Sequence, residues 1–262
     1  MTTTSEVLGA YDAAALRRLF EDAGVLTTLA AKGFIDFEVR IDAAGRVLPH
    51  AMLYGHKGGE RFLLLDACVG EAVVRPDYFA RRGHAMARPL DLAVVHWVRE
   101  EDPTASFSAQ RPRLPLQQHP GLGVLRRAFR VVVRMAAERN KDAVVNVPKF
   151  FHDALIFFRS RLFLFLDAEE QGRFEALARD LRQVALGDAS VALIGGCVHD
   201  ADGATVRWEP GYQVFPLAAE LTAYFHSAAY AARVAAACAQ SRFRVDAAAL
   251  ARTCTLLRTR RA

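Results

Sequence analysis

Three features of the 262-residue sequence predict an α/β fold with a mixed sheet: a period-two meander from Phe34 to Leu65, a strand–helix–strand–helix run from Leu114 to Phe158, and an alanine-rich helical stretch beyond residue 210. The meander supplies an antiparallel N-terminal half, and the β-α-β-α run requires a crossover with parallel pairing. The expected organisation is an α/β domain over residues 1–210 and a helical C-terminal extension over 211–262. Apolar side chains make up 52% of the chain and charged ones 24%, enough to bury a core and too apolar for a disordered chain.

The elements follow in order. Tyr11 to Ala31 carries Leu16, Leu19, Phe20, Ala23 and Leu26 at helical spacing, with Asp12 as N-cap and Gly33 as terminator, so one or two helices open the chain. Phe34 to Ile41, Val47 to Tyr54 and Arg61 to Leu65 alternate as strands around turns at Asp42–Gly45 and Gly55–Gly59. Arg75 to Arg88 is basic and turn-rich, Leu90 to Val98 is a further strand, and Glu101 to Arg113 is a polar loop. Leu114 to Gln118 is expected as a short strand, Val124 to Arg139 as a helix, Ala143 to Val147 as a buried strand and Phe150 to Phe158 as a helix. Ala168 to Val184 reads as a charged amphipathic helix. Val191 to Val198 and Ala204 to Trp208 read as a hairpin around Asp200-Ala201-Asp202-Gly203. Leu217 to Gln240 is helical with a break near Ser227, and Asp246 to Arg258 is a last helix.

Composition narrows function less than fold. The formal charge of +5 permits an anionic ligand without showing one. Phe150 to Leu166 is the most apolar run, and Asp153, Arg159 and Arg161 interrupt it, so no membrane span is expected. The first residues, Met-Thr-Thr-Thr-Ser-Glu, lack the charged and apolar regions of a secretory signal, which suggests a cytoplasmic chain. Cys68, Cys197, Cys238 and Cys254 are too scattered for a disulfide framework or a structural zinc site and read as buried thiols. Cys197, His199, Asp200 and Asp202 read as a hairpin tip rather than a metal cluster, so no metal is expected. Arg126, Arg130 and Arg134 form a helical stripe that suits a solvated face better than a nucleic acid. The phenylalanines from Phe150 to Phe165 read as core, with an acyl channel as the alternative.

The chemistry concentrates in Gln118-His119-Pro120-Gly121-Leu122-Gly123, placed before a strong helix. Glycines let the backbone turn tightly there, the first helical N–H groups are unpaired, and the positive helix end adds attraction for an anion. Arg126 and Arg127 fall in the first turn. The pattern Gln-x-x-Gly-x-Gly between strand and helix resembles the pyrophosphate-binding motif of the GNAT acyltransferase superfamily over residues 90 to 165. That resemblance implies acyl-coenzyme A as co-substrate, with Gln118, Gly121, Gly123 and Arg126 holding the pyrophosphate. It also places Phe151, Ala154, Phe157-Phe158 and Leu162-Phe163 on the family's second-helix pattern. Phe158 stands where the family often has a thiolate-protonating tyrosine, so Tyr54, Tyr78 or His152 would have to serve instead, or no transfer occurs. Pro120 removes one donor from the cradle, and Pro115 sits inside the expected strand.

Acyl transfer to an amine needs a group to take one proton. His96, Val98 and Glu100 share one face if Leu92 to Glu101 is a regular strand, which makes His96 and Glu100 the candidate bases. The expectation is thus an acyltransfer enzyme using acyl-coenzyme A, or a carrier-bound thioester, and an amine acceptor. The alternative is a GNAT-like module without catalysis that senses a ligand or binds a protein. The alanine-rich Leu217–Gln240 segment, with Tyr224, Phe225, Tyr230 and Val234 as anchors, suits close packing on the chain's own core or on the same segment of a second copy in a homodimer.

Overall fold

In the computed structural model, residues 6–80, 86–160 and 163–259 are described. Two compact units share the chain, one of Met1–Pro112, Gln117–Asn146 and Pro216–Ala218, the other of Arg113–Leu116, Val147–Phe215 and Ala219–Ala262. The first unit's long run ends at Asn146, where the apolar strand gives way to Val147-Pro148-Lys149.

The first unit opens with helices α1 (Ala13–Asp22) and α2 (Val25–Ala30). Asp12 caps α1 as expected, its Oδ1 accepting the Ala15 N–H at 2.7 Å. Gly24, with φ of 73°, makes the break between the two helices. Strands β1 (Ile35–Asp42), β2 (His50–Lys57) and β3 (Glu60–Val74) form the antiparallel meander, with the turn at Gly58-Gly59 joining β2 to β3. Short helix α3 (Pro76–Ala80) follows, and β4 (Leu90–Glu100) runs antiparallel to β3. After a long loop, α4 (Leu125–Glu138) crosses to β5 (Ala143–Asn146), which pairs with β4 in parallel. The mixed α/β sheet predicted from the sequence is present: an antiparallel set plus a parallel pair.

One face of this sheet is the core face. Ala51, Leu65, Val69, Val95 and Val98 meet Leu16 and Phe20 of α1 and Phe129, Val132 and Met135 of α4 across a small apolar space. Burying each such side chain contributes about 1.5–3 kcal/mol, which is why α1 and α4 carry their apolar residues on one stripe. The other face of β2, with His50, Met52, Tyr54 and His56, is only half-buried.

The expected strand Leu114–Gln118 does not form. Pro112 and Pro115 withhold backbone donors there, and Leu116 adopts a positive φ of 65°, so the segment is irregular loop. The strand that precedes the glycine loop is therefore β4.

The second unit carries α5 (Phe151–Arg159), β6 (Leu164–Phe165), α6 (Ala168–Asp180) and α7 (Leu186–Gly195). Strands β7 (Val198–Asp200) and β8 (Thr205–Val206) follow, and β9 (Gln213–Pro216) leads to helix α8 (Ala219–Phe225). Helix α9 (Ala228–Gln240), β10 (Phe243–Val245) and α10 (Ala247–Thr259) complete the order. The hairpin tip is where it was expected: Asp200 Oδ1 accepts the N–H groups of Asp202 and Ala204. Its first arm differs, because Val191–Gly195 belongs to α7, whose Ala189, Ala192 and Leu193 are buried at helical spacing and whose end is fixed by Gly196 at φ 69°. Ser227 breaks the alanine-rich segment and caps α9 through the Tyr230 N–H. Strand β9 pairs with β6, β10 pairs with β7, and α9 lies so close to α6 that a Cβ on Gly172 would run into the Val234 carbonyl oxygen. Tyr224 and Tyr230 donate their hydroxyls to the carbonyls of Leu166 and Phe165.

Candidate functional site

The parallel pairing of β4 with β5 runs from Leu92↔Ala143 to Val95↔Asn146 and ends there, while β4 continues beside β3 as far as Leu65↔Glu100. At the same place the β3–β4 register steps, since Val69 pairs Val95 but Cys68 pairs Trp97. His96 is the extra residue of a β-bulge, which bends the strand and re-aims side chains. The bulge defeats the expectation that His96 and Glu100 share a face. Val98 and Glu100 fall with Ala67 and Leu65 on the core side. His96 is exposed and lies over Gly70 on the other side, its Nε2 3.0 Å from where a Cβ on that glycine would stand. Asn146, the last residue of β5, is 4% exposed, and neither its Oδ1 nor its Nδ2 has a hydrogen-bond partner among the described residues.

The glycine loop is fastened to the end of β4. Glu101 Oε1 accepts the Gln118 N–H at 2.9 Å, the Pro120 carbonyl accepts the Asp102 N–H at 2.7 Å, and Arg111 donates to the Gly121 carbonyl. Gly123 is needed for its positive φ of 74°. No side chain of the adjacent Val124 caps α4. The amides of Leu122, Gly123 and Val124 instead face the carboxylate of Glu100. Gly121 leaves room for it, because a Cβ there would lie 2.8 Å from Glu100 Oε1. Burial pushes the Glu100 carboxyl up to about 7, against the opposing pull of those three amides and of the Lys32 charge. Glu100 Oε2 has no hydrogen-bond partner among the described residues. The anion-seeking end of α4 is thus occupied by a carboxylate of the chain itself, one that gains and loses its proton near neutrality.

Beside the loop, Asp66, Arg99, Glu101, Gln118 and His119 line a polar cavity of about 170 Å³. Of the residues expected to hold a pyrophosphate, Gln118 faces this cavity and Gly121 and Gly123 form the turn, whereas Arg126 is exposed on α4 and is not among the cavity's lining. The arginine stripe is satisfied by protein: Arg134 pairs with Asp22 and Glu138, each at 2.8 Å, and Arg130 reaches the Ala23 carbonyl.

Sequence reasoning missed a second constellation. His50 Nδ1 lies 2.7 Å from Asp66 Oδ1, and the Trp97 indole donates to Asp66 Oδ2 at 3.1 Å. The three side chains come from β2, β3 and β4. They meet only through the strand register, so no spacing in the chain announces them.

Other candidates have ordinary roles. Tyr54 lies under the Arg61 guanidinium, 3.7 Å from its ring centroid, and Tyr78 packs edge-on against Phe79. In the second unit, His152 is buried with its pKa pushed down to about 4, its Nδ1 3.0 Å and its backbone N 2.9 Å from Ser190 Oγ. Neighbouring Asp153 is raised by burial to about 6. Phe151, Phe158, Phe165 and Phe174 pack on one another and on Trp208, as core. Leu162 lies outside the described residues. Cys68 and Cys197 are buried, Cys238 and Cys254 half-buried, and all four are free thiols. No group of three or more His, Cys, Asp or Glu among the described residues is placed to hold a metal ion, and no described helix is long and apolar enough to cross a membrane.

No protein-family model, curated protein or solved structure matches the chain.

Proposed function

We propose that the chain is a GNAT-like acyltransferase, moving an acyl group from acyl-coenzyme A or a carrier-bound thioester to an amine. The observation that carries this reading is the end of the β4–β5 pairing at Val95↔Asn146, one residue before the His96 bulge, with the glycine loop and the start of α4 between the two strands in sequence. Past that pair β4 runs on beside β3 alone, and an extended amide-bearing thioester arm satisfies backbone N–H and C=O groups of the kind a strand edge presents. The orphaned Asn146 amide at that last pair supports a polar ligand there, because a buried amide without partners costs about 1–3 kcal/mol until something bonds it. The polar cavity offers Arg99, Gln118 and His119 to phosphate oxygens, against the carboxylates of Asp66 and Glu101 that also line it. In the reaction the amine nitrogen bonds the thioester carbonyl carbon, the C–S bond breaks, and a base carries the amine proton to the thiolate.

Glu100 favours a second reading, a ligand-sensing or protein-binding module that keeps the fold without the transfer, since its carboxylate already fills the amide cradle. Calorimetric titration with acetyl- and longer acyl-coenzyme A tests the first reading. Binding that protonates Glu100 in place takes up protons from buffer and binding that displaces it into water releases them, whereas absence of binding at millimolar thioester refutes the reading.

A further inference from the structure

We infer that His50, held by Asp66, is the base that takes the acceptor's proton, an assignment that rests on the acyl-transfer reading. Asp66 accepts at both oxygens, from Trp97 at Oδ2 and from His50 at Oδ1. With 11% of its side chain exposed it is a fixed, nearly dry acceptor. A carboxylate acceptor at Nδ1 places the imidazole proton there, so the lone pair of the neutral ring is on Nε2. Nε2 has no hydrogen-bond partner among the described residues, on the half-open face of β2. Asp66, though not His50, also lines the polar cavity beside the glycine loop, which ties the pair through Asp66 to the same end of the sheet as that loop.

The two bases expected from the sequence are placed less well. Glu100 is enclosed by the amides of Leu122 to Val124, and no other side chain fixes the ring of exposed His96. The groups around His50 keep its surroundings nearly neutral. Asp42 stands opposite it on β1 with Arg46 at 3.0 Å, Cys68 opposite it on β3, and Arg99 opposite Asp66 on β4, with His96 further along that strand. In the transfer, His50 Nε2 accepts the amine proton as the N–C bond forms. It returns that proton to the thiolate as the C–S bond breaks, and Asp66 acts throughout as a positioning residue that holds Nδ1.

The test uses the full chain with acetyl- and decanoyl-coenzyme A and butylamine, following free thiol. His50→Gln is expected to lower kcat about 100-fold or more, with KM for the thioester unchanged. Asp66→Asn holds the imidazole in the wrong tautomer and should lower kcat with KM unchanged. Nitrogen NMR of His50 reads the tautomer without any substrate and should show the proton on Nδ1. A proton on Nε2 overturns the assignment, as does a His50→Gln enzyme that loses thermal stability but turns over normally. If wild type binds and turns over neither thioester, the acyl-transfer reading fails and the base assignment with it. If wild type turns over and His50→Gln does so equally, the base assignment alone fails.

Discussion

Replacing Glu100 by glutamine removes a titration that opposes folding as pH rises. In the unfolded chain this carboxyl releases its proton near 4.5, and in the folded chain only near 7. Between those values the folded state holds a proton that the unfolded state has lost, so the group's contribution is fully present below about 4.5 and disappears as pH climbs through 7. At about 1.4 kcal/mol for each tenfold change, the difference amounts to about 3 kcal/mol between pH 4.5 and pH 8. Glutamine keeps an oxygen for the amides of Leu122 to Val124 and never ionises, so this slope vanishes. Urea unfolding read by Trp97 fluorescence, in a Trp208→Phe background that silences the other unit's tryptophan, compares the two chains across that range. Glu100→Gln should gain on its parent by about 3 kcal/mol as pH rises. Parallel stability profiles would refute the claim that burial dominates over the three amides at Glu100.

Ser190→Ala leaves the buried His152 N–H and Nδ1 without their shared partner and should cost about 1–3 kcal/mol, measured by thermal unfolding of the second unit. Gly172→Ala pushes a methyl into the Val234 carbonyl and the Ala237 side chain, so a loss of about 1–3 kcal/mol or more is expected; an unchanged melting temperature would show that α6 and α9 do not pack so closely. Truncation after Gly211 removes β9, α9 and β10 from their partners β6, α6 and β7 and should yield aggregated protein, whereas a soluble monomer melting at the full chain's temperature would contradict this packing.

Much of the fold was legible because its signals are local. Asp12, Ser227 and Asp246 stand where helices begin, and each caps through its own side chain. The period-two run over β2 and β3 survives because one face is buried beneath α1 and α4. Strands β6, β9 and β10 span two to four residues, too short for any period to show. The site was legible in part. The glycine loop announced an anion-binding helix end, but the anion that fills it is Glu100, brought there by the path of β4. A bulge is invisible to alternation, so His96 was assigned to the wrong face of its strand. His50, Asp66 and Trp97 are separated by whole strands, and register alone assembles them.

The backbone around Asp142 bears on the order in which the chain is completed. Its carboxylate takes a two-pronged bond from Arg88 and the N–H of Asp91, and its carbonyl accepts the N–H groups of both Leu217 and Ala218 at 2.9 Å. During synthesis, strands β1 to β5 have all been made once Asn146 is added, yet the first unit's closing residues, Pro216–Ala218, come only after the intervening 147–215. At roughly 5–20 residues per second that interval is on the order of several seconds. Throughout it, the nascent N-terminal portion carries an Asp142 carbonyl still waiting for its donors, so a chaperone or a stalled ribosome meets a sheet with that acceptor among its open backbone groups.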